Sequence, residues 1–454
     1  MKSPLSLIKR FFNREDQRNF KARTNILFSL VIRGISMVVS FILVPIILKY
    51  IGKNDYGVWL TLSSIITWMA FFDVGLGNGL RNKFASAIAV NDHQIARQYV
   101  STTYFSIFFI SIGLLLIFIG LQPFLDWTRI LNTSGSQAKE LNFLVLYVAI
   151  FFLIRFNLVL ISVILVADQR PAISNTFDPL SNILALIIIL ILTQTTPGSL
   201  TYIGVTFTTT PVIIFSIVTV YFFSKDYKKY KPSFKFVSLK YFKELTGLGF
   251  QFFIIQISVV IMITIDNLII TQVFDPSEVA VYNIAYKYFS IIIMIFTIYI
   301  AAYWSAFTEA WVKGEIEWIR KTTRANFIFW MICSVIVLIM LTFSEPFYKI
   351  WVKDLVIVPF SLSALMATYV IVYTFTNVFI YFINGTSKIK LQLYLSILIS
   401  IIKIPLSIYF AKNLNLESGG VILASIICLS ILAITMPIQY FLIVKGKAKG
   451  IWNK

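Results

Sequence analysis

The sequence predicts an all-α polytopic membrane protein, with about twelve transmembrane helices in two related six-helix bundles around a central cavity. Three observations carry that expectation. Of 454 residues, 58% are hydrophobic and only 13% charged, with a mean hydropathy of +0.84. A soluble chain of this length has too small an interior to hide so much apolar surface. The apolar residues fall in runs of about 20, the length that crosses a bilayer as a helix. The lysines and arginines are shared very unequally between alternate joining segments.

The elements follow in order. Residues 1–24 form a basic arm, too long and too charged for a cleaved signal. Its amphipathic character suits a cytosolic segment lying on the lipid surface. The first bundle, 25–223, holds apolar runs at 25–48, 57–80, 99–121, 141–167, 171–193 and 200–223. Residues 224–245 are a linker with seven lysines, whose basic character suits orientation and anionic-lipid contact. The second bundle, 246–444, holds runs at 246–273, 278–304, 324–343, 357–382, 389–411 and 418–444. Residues 445–454 are a basic tail.

With the N-terminus placed in the cytosol, the inner segments hold 28 basic residues and the outer loops seven, and four lie inside spans. A fourfold bias of this sign puts both termini in the cytosol. The net charge of +19 is therefore a topology signal and does not call for a nucleic-acid partner.

The two bundles read as a repeat. At a constant offset of 223, Asp55 meets Glu278, Trp59 meets Tyr282, Phe84 meets Phe307, Arg97 meets Arg320, and QPF at 122–124 meets EPF at 345–347. Each half has an even number of spans, so both enter from the same side. Such parallel repeats place a substrate path at their interface. That is a transporter layout.

Ionisable side chains inside spans are functional candidates by default. Arg33 stands about eight residues into the first span, roughly 12 Å at the helical rise. Arg155 is near the centre of span four, Lys287 in the upper middle of span eight, and Lys403 beside Pro405 in span eleven. Deep cations with few deep acids create a positive potential that attracts an anion such as a phosphate or pyrophosphate, which arginine binds bidentately. In the alternative, each cation pairs with Asp178 or Asp266 and locks two helices. Asp266 is the deepest acid, a carboxylate able to carry a proton or Na⁺, or to bridge to Lys287 or Arg33. Asp178 precedes Pro179, where a helix kink or cap competes with a gating role. Asp73 lies near the inner end of span two, placed to gate the inner mouth.

Asp73 opens the stretch DVGLGNGLRNK. It follows an apolar run rather than a strand and has no G-K-[ST], so it is neither a dinucleotide fingerprint nor a P-loop. Gly75, Gly77 and Gly79 suit close helix packing, with Gly75 and Gly79 in GxxxG spacing. Arg81 and Lys83 hold that helix end in the cytosol and are placed at the mouth of the path. Cys333 and Cys428 both lie in apolar runs, and His93 is the one histidine, so neither a metal site nor a catalytic constellation is expected. No cofactor is expected beyond coupling to H⁺ or Na⁺.

The stretches DVGLGNGLRNKFASAIAVND at 73–92, KYIGKNDYGVWLTLSSI at 49–65 and ID…I…FDPSEVAVYNIAYKYFSI at 265–291 resemble the O-antigen flippases, Wzx-like polysaccharide exporters. These belong to the multidrug/oligosaccharidyl-lipid/polysaccharide superfamily, whose fold is MATE-like. The resemblance implies a plasma-membrane flippase for an undecaprenyl-pyrophosphate-linked oligosaccharide, an O-antigen or capsule repeat unit, with no bond made or broken. It implies an O-antigen polymerase and a chain-length regulator as further partners. The competing expectation is a cation-coupled multidrug exporter or lipid II exporter of the same fold. A membrane glycosyltransferase or polymerase is disfavoured, because the longest outer loop, 122–140, is only about 19 residues.

Overall fold

The computed structural model describes residues 17–68, 75–134, 138–246, 264–301, 303–386, 388–413 and 416–453. Among them every long element is an α-helix and there is no strand. In chain order these are α1 (Gln17–Thr67), α2 (Leu76–Ala89), α3 (His93–Leu121), α4 (Ala138–Leu158), α5 (Leu160–Ala167), α6 (Phe177–Thr195), α7 (Leu200–Ser224) and α8 (Leu239–Thr246). Then follow α9 (264–273), α10 (Pro276–Ala301), α11 (Tyr303–Val312), α12 (Ile316–Thr342), α13 (Ser344–Trp351), α14 (Phe360–Gly385), α15 (Lys390–Asn413) and α16 (Ser418–Val444).

Ten helical segments among the described residues are long and apolar enough to cross a membrane. The expected span 25–48 and the first part of the span 57–80 lie within α1, divided at Gly52 where the backbone turns to φ 78°, while residues 69–74 of the latter lie outside the described residues. Of the expected span 246–273, residues 247–263 lie outside the described residues. The helices leave large apolar side chains on their outer faces: Leu116, Ile217, Ile401 and Ile434 are each more than three-fifths exposed. Water penalises such faces and lipid does not. The chain is a multi-pass membrane protein.

Two boundaries differ from the sequence expectation. The first helix reaches back to Gln17, inside the expected arm. Residues 81–89, expected in an inner loop, are helical as part of α2. The reason is a second periodicity hidden behind the span: Leu76, Leu80, Phe84 and Ala87 line one face and are buried, while Arg81 and Asn82 point out. This is amphipathic spacing.

The repeat at an offset of 223 has a structural counterpart. Asn91 and Gly314 both take left-handed backbone, φ 59° and 72°. Asp92 N donates to Ala87 O and Glu315 N to Ala310 O, each at 2.9 Å. His93 N and Ile316 N each donate back across the turn to Asn91 O and Gly314 O. The long helices α3 and α12 then begin at His93 and Ile316.

The helices gather into two compact units. The first comprises Met1–Tyr50, Met69–Leu125 and Glu140–Phe252. In it α2 packs on α3 and α5, α8 on α2 and α3, and α6 on α7. Leu80, Phe84, Ile164, Phe215 and Leu245 are buried in its core. The second comprises Ile51–Trp68, Asp126–Lys139 and Phe253–Lys454. There α14 is central, packed on α10, α11, α12 and α16, with α15 against α16. Its core includes Phe289, Phe296, Phe307 and Phe382, all fully buried. The segment 126–134, expected as an open outer loop, is built into this unit. Asn132 Nδ2 donates to Thr271 O at 2.9 Å and Phe274 O at 3.0 Å, and Gln272 Nε2 donates to Arg129 O and Ile130 O, each at 2.8 Å.

Candidate transport site

Asp266 on α9 is the most deeply held acid of the second unit. Its Oδ1 lies 2.8 Å from Lys403 Nζ on α15, and the two side chains are 4% and 0% exposed. Tyr282 Oη on α10 donates to Oδ2 at 2.8 Å, and Ser425 Oγ on α16 approaches the same oxygen at 3.4 Å. Four helices therefore converge on one carboxylate. The sequence reading joined Asp266 to Lys287 or Arg33; the structure joins it to Lys403. An isolated charge in such a core is prohibitively expensive, and a hydrogen-bonded pair is the arrangement that makes it tolerable. A proton taken up by Asp266 removes the carboxylate charge on which this arrangement rests.

A polar seam lies on the same helix. Thr264, Asn267 and Thr271 of α9 meet Trp68, Ser64 and Thr61 in antiparallel order. Trp68 Nε1 donates to Thr264 Oγ1 at 2.5 Å, Asn267 Nδ2 to Ser64 Oγ at 2.8 Å, and the two threonine hydroxyls are 2.7 Å apart. Asn283 Nδ2 on α10 adds a bond to Asn267 Oδ1 at 2.8 Å. Both partners repeat at intervals of three and four, so each row occupies one helix face. Such interhelical bonds hold membrane helices together where apolar association has no drive.

The first unit has its own ion pair. Arg155 Nη2 near the end of α4 donates to Asp178 Oδ1 in the first turn of α6 at 2.8 Å, with side chains 36% and 62% exposed. The guanidinium also lies over the Phe215 ring at 5.8 Å. Asp178 at a helix N-terminus is well placed for the macrodipole. Arg33 is exposed on α1, and Lys287 is half-buried within α10. Of the four intramembrane cations, two are thus joined to the two intramembrane acids that the structure describes.

The glycine stretch divides its roles. Asp73 lies outside the described residues. Gly75 takes φ 78° and leads the chain into α2. Gly77 is buried in the first turn. Gly79 has the backbone of α8 against it: a Cβ there would stand 2.4 Å from Leu245 O. Arg81 is exposed, whereas Lys83 Nζ reaches Glu244 Oε2 on α8 at 3.4 Å. Tyr99 Oη donates to that same oxygen at 2.7 Å. The Tyr99 hydrogen bond and the Lys83 ammonium hold the Glu244 carboxyl below the usual glutamate range.

Tyr282, Ser425, Tyr99 and Glu244 complete these sites and went unremarked as site residues in the sequence. A tyrosine or serine in a span carries no positional signal until its partner is known. Among the described residues no group of three or more His, Cys, Asp or Glu is placed to hold a metal ion.

Comparison with known proteins then adds family and fold. The chain is 22% identical over 372 residues to a protein of Yersinia pseudotuberculosis named for O-antigen export, covering 79% of this chain and 82% of that one. It is 22% identical over 316 residues to a protein of Salmonella typhi named for O-antigen transport, covering 68% of each. Among solved structures it resembles a multidrug resistance MATE family transporter of the MOP superfamily in its inward-facing conformation. The TM-score is 0.72 at 16% identity, over 92% of this chain and 98% of that one. The outward-facing conformation of a multidrug resistance MATE family transporter of the same superfamily gives 0.64 at 16% identity, over 96% and 97%. The fold is therefore MATE-like. The MatE family model matches residues 252–409. The model of the polysaccharide biosynthesis proteins matches residues 22–311, well over half of the chain. The chain belongs to the polysaccharide biosynthesis protein family.

Proposed function

We propose that the chain is a flippase, not an enzyme. It carries an undecaprenyl-pyrophosphate-linked oligosaccharide, an O-antigen or capsule repeat unit, from the cytosolic to the outer leaflet of the bacterial plasma membrane. The observation that carries this reading is the match to an O-antigen export protein over 82% of that protein's length, within the polysaccharide biosynthesis family. The cargo has a charged pyrophosphate, a polar glycan and a long tail. Intramembrane cations suit the first, and the bilayer itself accepts the last. In this account Arg33, Lys287 and Arg155 meet the pyrophosphate as the two bundles alternate access. Asp266 and Lys403 form the coupling element: proton uptake at Asp266 opens their pair, and release closes it. Both termini and the lysine-rich linker face the cytosol, and an O-antigen polymerase and chain-length regulator receive the product.

A cation-coupled exporter of the same fold is the second reading, favoured by the MatE match over 252–409. Against it, the ionisable side chains inside the spans are mostly cations, where an exporter of cationic drugs calls for acids.

The test is deletion and complementation in the native bacterium. The account expects the deletion strain to lose surface polysaccharide and accumulate the lipid-linked unit on the cytosolic side, with the wild-type gene restoring display. Normal display in the deletion strain, with altered drug resistance, contradicts it.

A further inference from the structure

The lysine-rich segment between the two halves is not a slack tether. Tyr227 and Tyr230 are buried in the core cluster with Phe222, Phe223 and Phe84. Asp226 Oδ2 accepts from Arg170 Nη1 at 2.6 Å. Backbone amides of Ser233 and Ser238 donate to Ser101 Oγ and Thr102 Oγ1 on α3, each at 3.2 Å. Arg97 Nε donates to Lys231 O at 3.1 Å, and its guanidinium lies 4.3 Å from the Phe236 ring centre. The segment is thus strapped along α3 at residue after residue.

Its exposed side chains are mostly cations. Lys225, Lys228, Lys229, Lys231, Lys235, Lys240 and Lys243 are all exposed. Between them Phe234 is 67% exposed and Leu239 80%. Against these seven cations stand two acids, Asp226 within the segment, paired with Arg170, and Glu244 just beyond it, paired with Lys83. Seven cations interleaved with two protruding apolar side chains, on a rigid support beside membrane helices, match one chemistry: a sheet of anionic headgroups with acyl chains just beneath.

We infer that residues 225–243 form a pinned basic platform that binds anionic phospholipid headgroups of the leaflet it faces, with Phe234 and Leu239 dipping below them. That the leaflet is the cytosolic one rests on the orientation proposed above; the headgroup binding does not. Each lysine near an anionic surface contributes roughly fivefold in association. Removing several therefore weakens binding by well over tenfold.

The experiment uses the full chain in detergent, titrated with phosphatidylglycerol or phosphatidylcholine and read by native mass spectrometry. The wild type should retain phosphatidylglycerol preferentially. K228Q/K229Q/K231Q/K235Q should lose at least tenfold in that affinity, and the matching quadruple arginine variant should keep it, which separates charge from folding. Three results overturn the inference: retention by the glutamine variant within twofold of wild type, equal binding of phosphatidylcholine by wild type, or displacement of the lipid by inorganic pyrophosphate but not by sulfate at equal ionic strength. The last would mark the platform as a site for the pyrophosphate group instead. Orientation is read separately by labelling Lys235→Cys in intact cells with an impermeant thiol reagent, against a background in which Cys333 and Cys428 are buried. Labelling from outside would sink the orientation and leave the headgroup result standing.

Discussion

Replacing Lys403 with methionine keeps an unbranched side chain one atom shorter and deletes its charge. The structure sets the size of the effect. Lys403 and Asp266 are 2.8 Å apart, and both side chains are almost wholly out of contact with solvent. Breaking such a pair from one side leaves a buried charge without its counterion and costs about 3–5 kcal/mol. Spread over a unit of this size, that corresponds to a fall in the midpoint of heat denaturation of roughly 6–20 °C. Asp266→Asn should behave similarly from the other side, because Lys403 is then left in the same apolar setting and Tyr282 exchanges a charged acceptor for a neutral one. In the double variant the stranded charge is gone, so it should cost less than either single, which makes the coupling energy in the cycle at least as large as one single effect, about 3 kcal/mol or more. The assay is heating of the purified protein in detergent, with the surviving monodisperse fraction measured by size exclusion. Strict additivity of the two single effects would refute the reasoning, as would singles indistinguishable from wild type.

Other outcomes follow from the same geometry. Gly79→Ala places a Cβ 2.4 Å from the Leu245 carbonyl, so α8 must move; a loss of about 1–3 kcal/mol in the same thermal assay is expected. Arg33→Ala and Lys287→Ala should each abolish surface polysaccharide while leaving the protein in the membrane, measured by glycan staining beside an immunoblot of the membrane fraction. Glu244 has a lowered pKa in the fold, so its bond to Lys83 and Tyr99 contributes above the ordinary glutamate value of 4.5 and fades as pH falls through the lower folded-state value. Pepsin cleavage within 225–246, normalised at each pH to cleavage of an unfolded peptide, should therefore rise in that acid range in the wild type and be high throughout in Glu244→Gln.

Sequence reading and structure agree where the signal is one-dimensional. Span length is set by the bilayer, so hydropathy finds the helices. The repeat is legible in pairs such as Phe84 with Phe307 and Arg97 with Arg320 at one constant offset, whereas the shared turn at Asn91 and Gly314 emerges only from the backbone. The amphipathic face of α2 was missed because Leu76 and Leu80 adjoin an apolar run and were absorbed into it. The partner of Asp266 was not legible for a different reason. Lys403 is 137 residues away, and Arg33, Lys287 and Lys403 are equivalent by composition. Only packing chooses among them. The docking of 126–134 on α9 rests on Asn132 and Gln272 side chains meeting backbone carbonyls, and such bonds leave no trace in periodicity.

The central claim is that this chain moves a lipid-linked glycan across a bilayer. The most direct measurement reconstitutes the purified protein in liposomes carrying an undecaprenyl-pyrophosphate-linked oligosaccharide on the inner leaflet, and follows the glycan's exposure to an external lectin. The account predicts exposure that depends on the wild-type protein, is lost with Arg33→Ala and Lys287→Ala, and responds to a proton gradient through Asp266. Protein-free rates of exposure, together with gradient-driven export of a small cationic drug from the same liposomes, would contradict it.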